Sequence, residues 1–344
     1  MKAGFPRKND IINAGRPFTC PVGRRIIMYH DYSMEKIMKE FGTPSPKNFI
    51  LDTDTANEID DQFAVTYAML ADEINLLALT AAPYVGRCAS TPAEGAELSY
   101  QEMVRVRDLV DPEGRMNIPC YRGSSSYLES MDRPVISEAA ENIVRIVNEA
   151  DGTVYVAVIG CFTNLASALL IDPSIKDKTV VLMIGANCFE NANGDCNEYN
   201  LAQDRNAARV IFECGVPVVV LPAIGGTESL YTTNAELNFY LKDQAGKIGN
   251  YLCALFERDE GGLFLEDGTC NCRSRVIWDI GAIAVPRLGQ RAARIRIVPA
   301  RTIDPDGFWC MTKDLGRQMI MTGCFNRSAV LSDFYSLLRR SDLK

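Results

Sequence analysis

An alternation along the chain is the strongest constraint on its fold. Short unbroken apolar runs take turns with stretches whose apolar residues recur at helical spacing. The runs fall at 48–51, 74–82 (INLLALTAA), 153–160 (TVYVAVIG), 179–185 (TVVLMIG) and 216–222 (VPVVVLP). Between them lie DDQFAVTYAML from Asp60 to Leu70, a polar helix at 94–109, TNLASALLI and DRNAARVIFE. Strands that are apolar on both faces must be covered on both faces. The pattern therefore predicts an α/β fold, a mostly parallel central sheet flanked by helices in an open Rossmann-type arrangement. Residues 1–47 precede the pattern. They hold one helical stretch, MEKIMKEF, broken by GTPSPK, and read as an N-terminal extension before a single domain at 48–344.

Composition narrows the function classes. The chain has 344 residues, 47% of them hydrophobic and 23% charged, which suits a packed core and excludes disorder as the main state. No apolar run reaches the roughly 18 residues of a membrane span. Lys and Arg number 36 against 44 Asp and Glu, a net charge of −8 without a basic tract, so neither a membrane nor a nucleic acid is an expected partner. The twelve cysteines are scattered, and several, such as Cys161 and Cys214, sit in apolar surroundings as buried free thiols do. The first residues carry charge but no apolar signal segment. These features predict a cytoplasmic protein. The single histidine, His30, lies in the extension, and the CNC at 270–272 lacks the two-residue gap of a zinc or redox CxxC, so zinc is not expected.

In open parallel sheets, ligands bind outside the carboxyl ends of the strands. The first such end carries DTDTANEIDD, with Asp52, Asp54, Glu58, Asp60 and Asp61 inside ten residues. Carboxylates this close repel, and a bound cation relieves the repulsion. Oxygen donors without His or Cys nearby select Ca²⁺ or Mg²⁺. Helix capping explains Asp60 or Asp61, but not Asp52 and Asp54 at the end of an apolar strand. The third strand ends in GCFTN, and the loop after the fourth, at 185–200, is rich in Asn, Asp and Glu. One reading of the acidic strand end is a phosphohydrolase of the haloacid-dehalogenase type, because ILDTDT at 50–55 fits its DxDxT motif with Asp52 as nucleophile. The second acidic motif of that class, GDxxxD, has no counterpart, since Gly194-Asp195 is followed by CNEY.

Several further stretches occur in a telling order. DTDTANEIDD is similar to the DxDxGxDD opening of the inosine-uridine preferring nucleoside hydrolases, with two extra residues and no Gly. CYRG at 120–123 is similar to their PVYxG, and GCFTNLA at 160–166 to GPLTNLA. NEYN at 197–200, followed by DRNAA at 204–208, is similar to AEFN and DxxAA, and Trp278-Asp279 to a late His-Asp pair. From about Asn48 to the C-terminal helix, the chain resembles that family, in a branch with a longer acidic loop.

The resemblance implies hydrolysis of the N-glycosidic bond of ribonucleosides to ribose and free base. It implies one Ca²⁺ held by Asp54, Asp61, the Thr163 carbonyl and Asp279, with Asp52 orienting a ligand from behind. A Ca²⁺-bound water beside Asp54 is easier to deprotonate, which makes Asp54 the candidate general base. Asp60, Glu198 and Asn200 match ribose contacts, with Asn193 or Asn191 as a further one. Asn57 belongs to the insertion and has no family counterpart; it lies within reach of the sugar. Trp278 stands where one branch has a His that protonates the leaving base. A Trp there stacks on the base, which favours purine nucleosides, and Tyr84 and Tyr231 are candidates for a second aromatic wall. The family usually carries Gly-Asn after the second strand, where this chain has Ala82-Pro83-Tyr84. Homodimers or homotetramers are implied. Two alternatives stay open: a glycosidase for a modified riboside, suggested by the altered loop, and a non-catalytic protein that binds a ribosyl ligand.

Overall fold

The five apolar runs become the parallel strands β1 (Lys47–Thr53), β2 (Ile74–Ala81), β4 (Val154–Val158), β5 (Thr179–Ile184) and β6 (Val218–Leu221), and the two-residue β3 (Cys120–Tyr121) pairs beside β2. The computed structural model describes residues 33–189, 194–258 and 273–340. It adds the short strands β7 (Tyr231–Thr233), β8 (Ser274–Val276), β10 (Arg301–Ile303) and β11 (Trp309–Met311), and the longer β9 (Ala293–Pro299) and β12 (Gln318–Phe325). Eight strands make one sheet in the order β3-β2-β1-β4-β5-β6-β12-β9. Every neighbouring pair is parallel except β12 and β9, which close one edge antiparallel. The α/β class read from the sequence is therefore the fold observed.

Successive side chains of each strand face opposite sides. Leu51, Tyr155, Leu182 and Val219 join a core with the helices Asp60–Leu70, Pro92–Val110, Gly246–Arg258, Ile280–Leu288 and Arg327–Leu338. Ile50, Val156, Val181 and Val220 join a second core with Glu138–Glu149, Thr163–Ile171 and Arg205–Glu213. All 11 residues of Asp60–Leu70 are buried, its two N-terminal aspartates included. From β1 the chain runs outward through β2 to β3, then returns to lay β4 on the other side of β1. The order reverses between β1 and β4, so a crevice opens at their carboxyl ends.

The described part of the N-terminal segment packs on the first core. Ile37 of the helix Met34–Glu40 is buried, and the Tyr155 hydroxyl donates to the Glu40 carboxylate at 2.5 Å. His30, Asn191, Asn193, Cys270 and Cys272 lie outside the described residues. Among the described residues, no helix is long and apolar enough to cross a membrane. Cys161, Cys196 and Cys253 are buried free thiols.

Phe63 is wholly buried and packs its ring 5.8 Å from that of Phe334, joining the central helix to the C-terminal one. Phe63→Ala is expected to destabilise the fold by about 3–5 kcal/mol in urea unfolding, because the cavity lies between elements that cannot close on it. A loss below about 1 kcal/mol would contradict this packing.

Candidate active site

The carboxyl ends of β1 and β4 and the start of three helices meet in the crevice. β1 ends in Asp52 and Thr53, and its continuation delivers Asp54. The helix Asp60–Leu70 begins with Asp60 and Asp61 behind the N-cap Ile59, and no side chain caps it. Asp279 is the N-cap residue of Ile280–Leu288, again without a side-chain cap bond. These aspartates are therefore not used up as caps. Their negative charge lies at helix N-termini, where the backbone dipoles favour it.

Asp60, Asp61 and Asp279 are buried, and each offers a carboxylate oxygen within 4.8 Å of the others. Thr53 donates to Asp61 Oδ1 at 2.5 Å, which aims that carboxylate. Asp54 is also buried, and its field acts on both Asp61 and Asp279. A side chain at Gly160, just after β4, would come within 2.9 Å of Asp54 Oδ1, so a glycine lets the two strand ends meet there. Asp52 lies deeper. Its Oδ1 accepts from Thr80 at 2.6 Å and Asn164 at 2.8 Å, while its Oδ2 is buried with no partner among the described residues. With none of its surface exposed, Asp52 is not an accessible nucleophile, which removes the basis of the phosphohydrolase reading.

Burial dominates the electrostatics. It pushes the Asp52 carboxyl up to about 7, against the opposing bonds from Thr80 and Asn164. It pushes Asp60 to about 7 as well, with the Glu58 charge adding to the rise. Asp54, Asp61 and Asp279 are held well above the usual carboxylate range by burial and then by neighbouring carboxylates, chiefly Asp60 for Asp54 and Asp279, and Asp54 for Asp61. One cationic counterweight, Arg275, reaches Glu58 at 3.7 Å and eases Asp60. A cluster of buried oxygen donors with this much repulsion fits a hard divalent cation, which can hold several carboxylates ionised together. The trio within 4.8 Å contains Asp61 and Asp279, as the family resemblance implies for the ligands, with Asp60 rather than Asp54 as the third.

Glu198 and Asn200 lie at the carboxyl ends of β4 and β5. Glu198 caps the helix Tyr199–Gln203, accepting from the Asn200 and Leu201 amides at 3.1 and 3.2 Å, and burial pushes it to about 7. Asn200 donates its side-chain amide to the Ile159 and Ile184 carbonyls at 2.7 and 3.3 Å, so it ties β4 to β5 and leaves Oδ1 for other partners. The Thr163 hydroxyl donates to Asp204 at 2.7 Å at the start of its helix. Trp278 is half-buried and immediately precedes Asp279. Tyr84, expected as an aromatic wall, is wholly buried; its hydroxyl has no partner among the described residues, and burial raises its pKa. Tyr231, the other candidate wall, stacks under the Arg327 guanidinium at 4.4 Å.

Asn57 is engaged at both ends of its amide. Nδ2 donates to Asp54 Oδ2 at 3.0 Å, and Oδ1 accepts from the Tyr199 hydroxyl at 3.2 Å. Tyr199, Gln203 and Gly86 were not singled out in the sequence. Gln203 accepts from the Val85 amide at 3.1 Å and donates to the Val85 carbonyl at 3.0 Å, fixing the loop after β2. Tyr127 donates in turn to Gln203.

Comparison with known proteins fits this geometry. A family model described as inosine-uridine preferring nucleoside hydrolase matches residues 49–297. The chain belongs to that family. It is a hydrolase acting on the N-glycosyl bonds of nucleosides. A probable uridine nucleosidase 2 of Arabidopsis thaliana is 26% identical over 235 residues, which cover 61% of this chain and 69% of that protein. Among solved structures, a plant nucleoside hydrolase superposes with a TM-score of 0.64 at 22% identity, covering 86% of this chain and 99% of the other. An inosine-guanosine nucleoside hydrolase gives 0.66 at 18% identity, covering 85% and 98%. At these identities the structural matches speak for the shared nucleoside-hydrolase fold.

The raised carboxyl groups make stability depend on pH. Asp52 and Asp60 sit near 7 in the fold against an ordinary 3.8, so between those values the folded state holds protons that the unfolded chain has released. The stability these two groups contribute then falls as pH rises through this window. Chelator-treated protein should melt at steadily lower temperature from about pH 5 to about pH 7.5, and millimolar Ca²⁺ should flatten the trend. Calorimetry showing a flat or rising melting temperature in chelator would contradict this.

Proposed function

We propose that this hydrolase cleaves ribonucleosides with Ca²⁺ as its cation, purines ahead of pyrimidines, and with Asp54 as general base. The observation that carries the reading is the buried cluster of Asp60, Asp61 and Asp279 with Asp54 beside it. Asp54, Asp61, Asp279 and the Thr163 carbonyl are the proposed ligands, and the close approach of Asp60 makes it a further donor. When bound, Ca²⁺ would supply charge that acidifies water and engages the sugar hydroxyls.

The chain's own groups account for the remaining steps. Asp54 takes a proton from the water that attacks the anomeric carbon. As the bond to the base breaks, positive charge grows on the sugar ring, and the surrounding carboxylates favour it. Asp60, Glu198 and Asn200, through its Oδ1, are proposed to grip the ribose, and Asn193 to add a contact. Asp52 meets no substrate; through Thr80 and Asn164 it braces the ends of β2 and β4. Trp278, beside Asp279, is proposed to stack on the departing base. Its indole face suits a bicyclic purine and raises the basicity of the ring that must pick up a solvent proton. The Tyr84 hydroxyl, buried and unsatisfied near Asp54, is a proposed polar contact rather than a wall. The relatives' names point both ways on the base, to uridine and to inosine and guanosine.

The test is sugar release from inosine, adenosine, guanosine, uridine and cytidine. A purine nucleoside should be the fastest substrate. Asp54→Ala should lower kcat by about 10²–10⁴-fold. Trp278→Ala should cost the purines roughly tenfold more than uridine, as loss of about 1.4 kcal/mol of stacking would. Uridine as the fastest substrate would overturn the purine preference. Turnover of none of the five by Ca²⁺-loaded protein would leave a modified riboside or ligand binding as the function.

A further inference from the structure

We infer that Asn57 and Tyr199 are positioning residues that hold the Asp54 carboxylate in its working orientation. This rests on the reading of Asp54 as general base. Asp54 lies just past the last residue of β1, where the sheet no longer fixes the chain, and it faces the repulsion of Asp60 and Asp61. A carboxylate there needs a neutral donor to set its rotation. The two extra residues of the acidic loop bring one. The Asn57 amide N–H donates to the Asp54 carbonyl at 2.8 Å, closing a turn that swings the Asn57 side chain back onto Asp54 Oδ2 at 3.0 Å.

The Asn57 side chain has its own orienting partner. With Oδ1 facing the Tyr199 hydroxyl at 3.2 Å, the NH₂ group faces the carboxylate. The reverse orientation would set two acceptors against each other. Tyr199 shares its single hydroxyl proton between Asn57 Oδ1 and the Val85 carbonyl, 2.8 Å away, and Gln203 clamps Val85 from the same helix. The junction leaves no room at Gly86. A side chain there would lie 2.5 Å from the Tyr199 hydroxyl and 2.9 Å from Asn57 Oδ1. Three segments thus converge on one amide: the loop after β1, the loop after β2, and the helix Tyr199–Gln203. Tyr199 is 42% exposed, so the chain of bonds starts at the protein surface and ends on Asp54.

The test uses a 4-nitrophenyl riboside, whose phenolate leaves without a proton, so that its rate reports attack by water alone. Asn57→Ala should lower kcat roughly 10–100-fold, as loss of one aligned donor does, with KM within about threefold. Asn57→Asp keeps the shape but opposes two carboxylates, and should be slower still; a packing role would predict the reverse. Tyr199→Phe should lower kcat by about 3–10-fold, and the Asn57→Ala/Tyr199→Phe pair should be no slower than Asn57→Ala alone. Terbium luminescence titration should show cation affinity in Asn57→Ala and Tyr199→Phe within about threefold of the parent, with melting temperatures confirming folded protein. Additive losses, an Asn57→Asp variant faster than Asn57→Ala, or losses confined to KM or to terbium binding would overturn the inference. An unimpaired Asp54→Asn would instead overturn the role of Asp54 as base, and so would a parent enzyme inert toward the riboside. A dead Asp54→Asn beside an unimpaired Asn57→Ala would overturn the positioning role alone.

Discussion

Four aspartates, Asp54, Asp60, Asp61 and Asp279, are buried together at one end of the sheet, and the architecture around them is arranged to tolerate it. Burying one unpaired carboxylate is unfavourable; burying several in contact is more so, unless protons or a cation neutralise them. Helix N-termini aimed at the cluster offset part of the cost. The remainder appears as raised proton affinity, with Asp60 near 7 and its neighbours well above the usual carboxylate range. That tension is what an oxygen-binding cation resolves, and it connects the fold to hydrolysis. A cluster at ease in its protonated form would have no reason to gather these groups.

The sheet delivers the cluster through its connectivity. The order reverses between β1 and β4, so Asp54 and Gly160 meet across the switch while the helix Asp60–Leu70 returns its first two residues to the same place. That helix is buried along its whole length, and every shift of its N-terminus is resisted by packing on both cores' shared sheet. The aspartates are thereby placed by hydrophobic packing, which does not depend on charge, and they stay close despite their repulsion.

Much of this was legible in the sequence where the signal is local. Unbroken apolar runs can be covered only as buried strands, so β1, β2, β4, β5 and β6 were readable, and the helices Asp60–Leu70 and Thr163–Ile171 have the bounds expected of them. The antiparallel edge was not. ARIRIVP in β9 alternates charge with apolar residues, and only pairing with β12 makes it a strand. β3 has two residues and exists through its bonds to β2. The acidic residues of the site were visible as a cluster, but their grouping was not. Asp60 reads as a cap or a sugar contact from its place at a helix start, whereas the fold sets it against Asp61 and Asp279. Tyr199 and Gln203 gave no signal because their partners are remote: Tyr199 reaches Asn57 across 142 residues and Gln203 reaches Val85 across 118.

The most direct measurement is the metal content of the purified chain by mass spectrometry after equilibration with millimolar Ca²⁺ and removal of the excess, set beside an Asp61→Asn/Asp279→Asn variant that remains folded. About one calcium per parent chain, and less than a tenth of that in the variant, is the expected result. A parent chain holding no divalent cation, or a variant holding as much as the parent, would contradict the account.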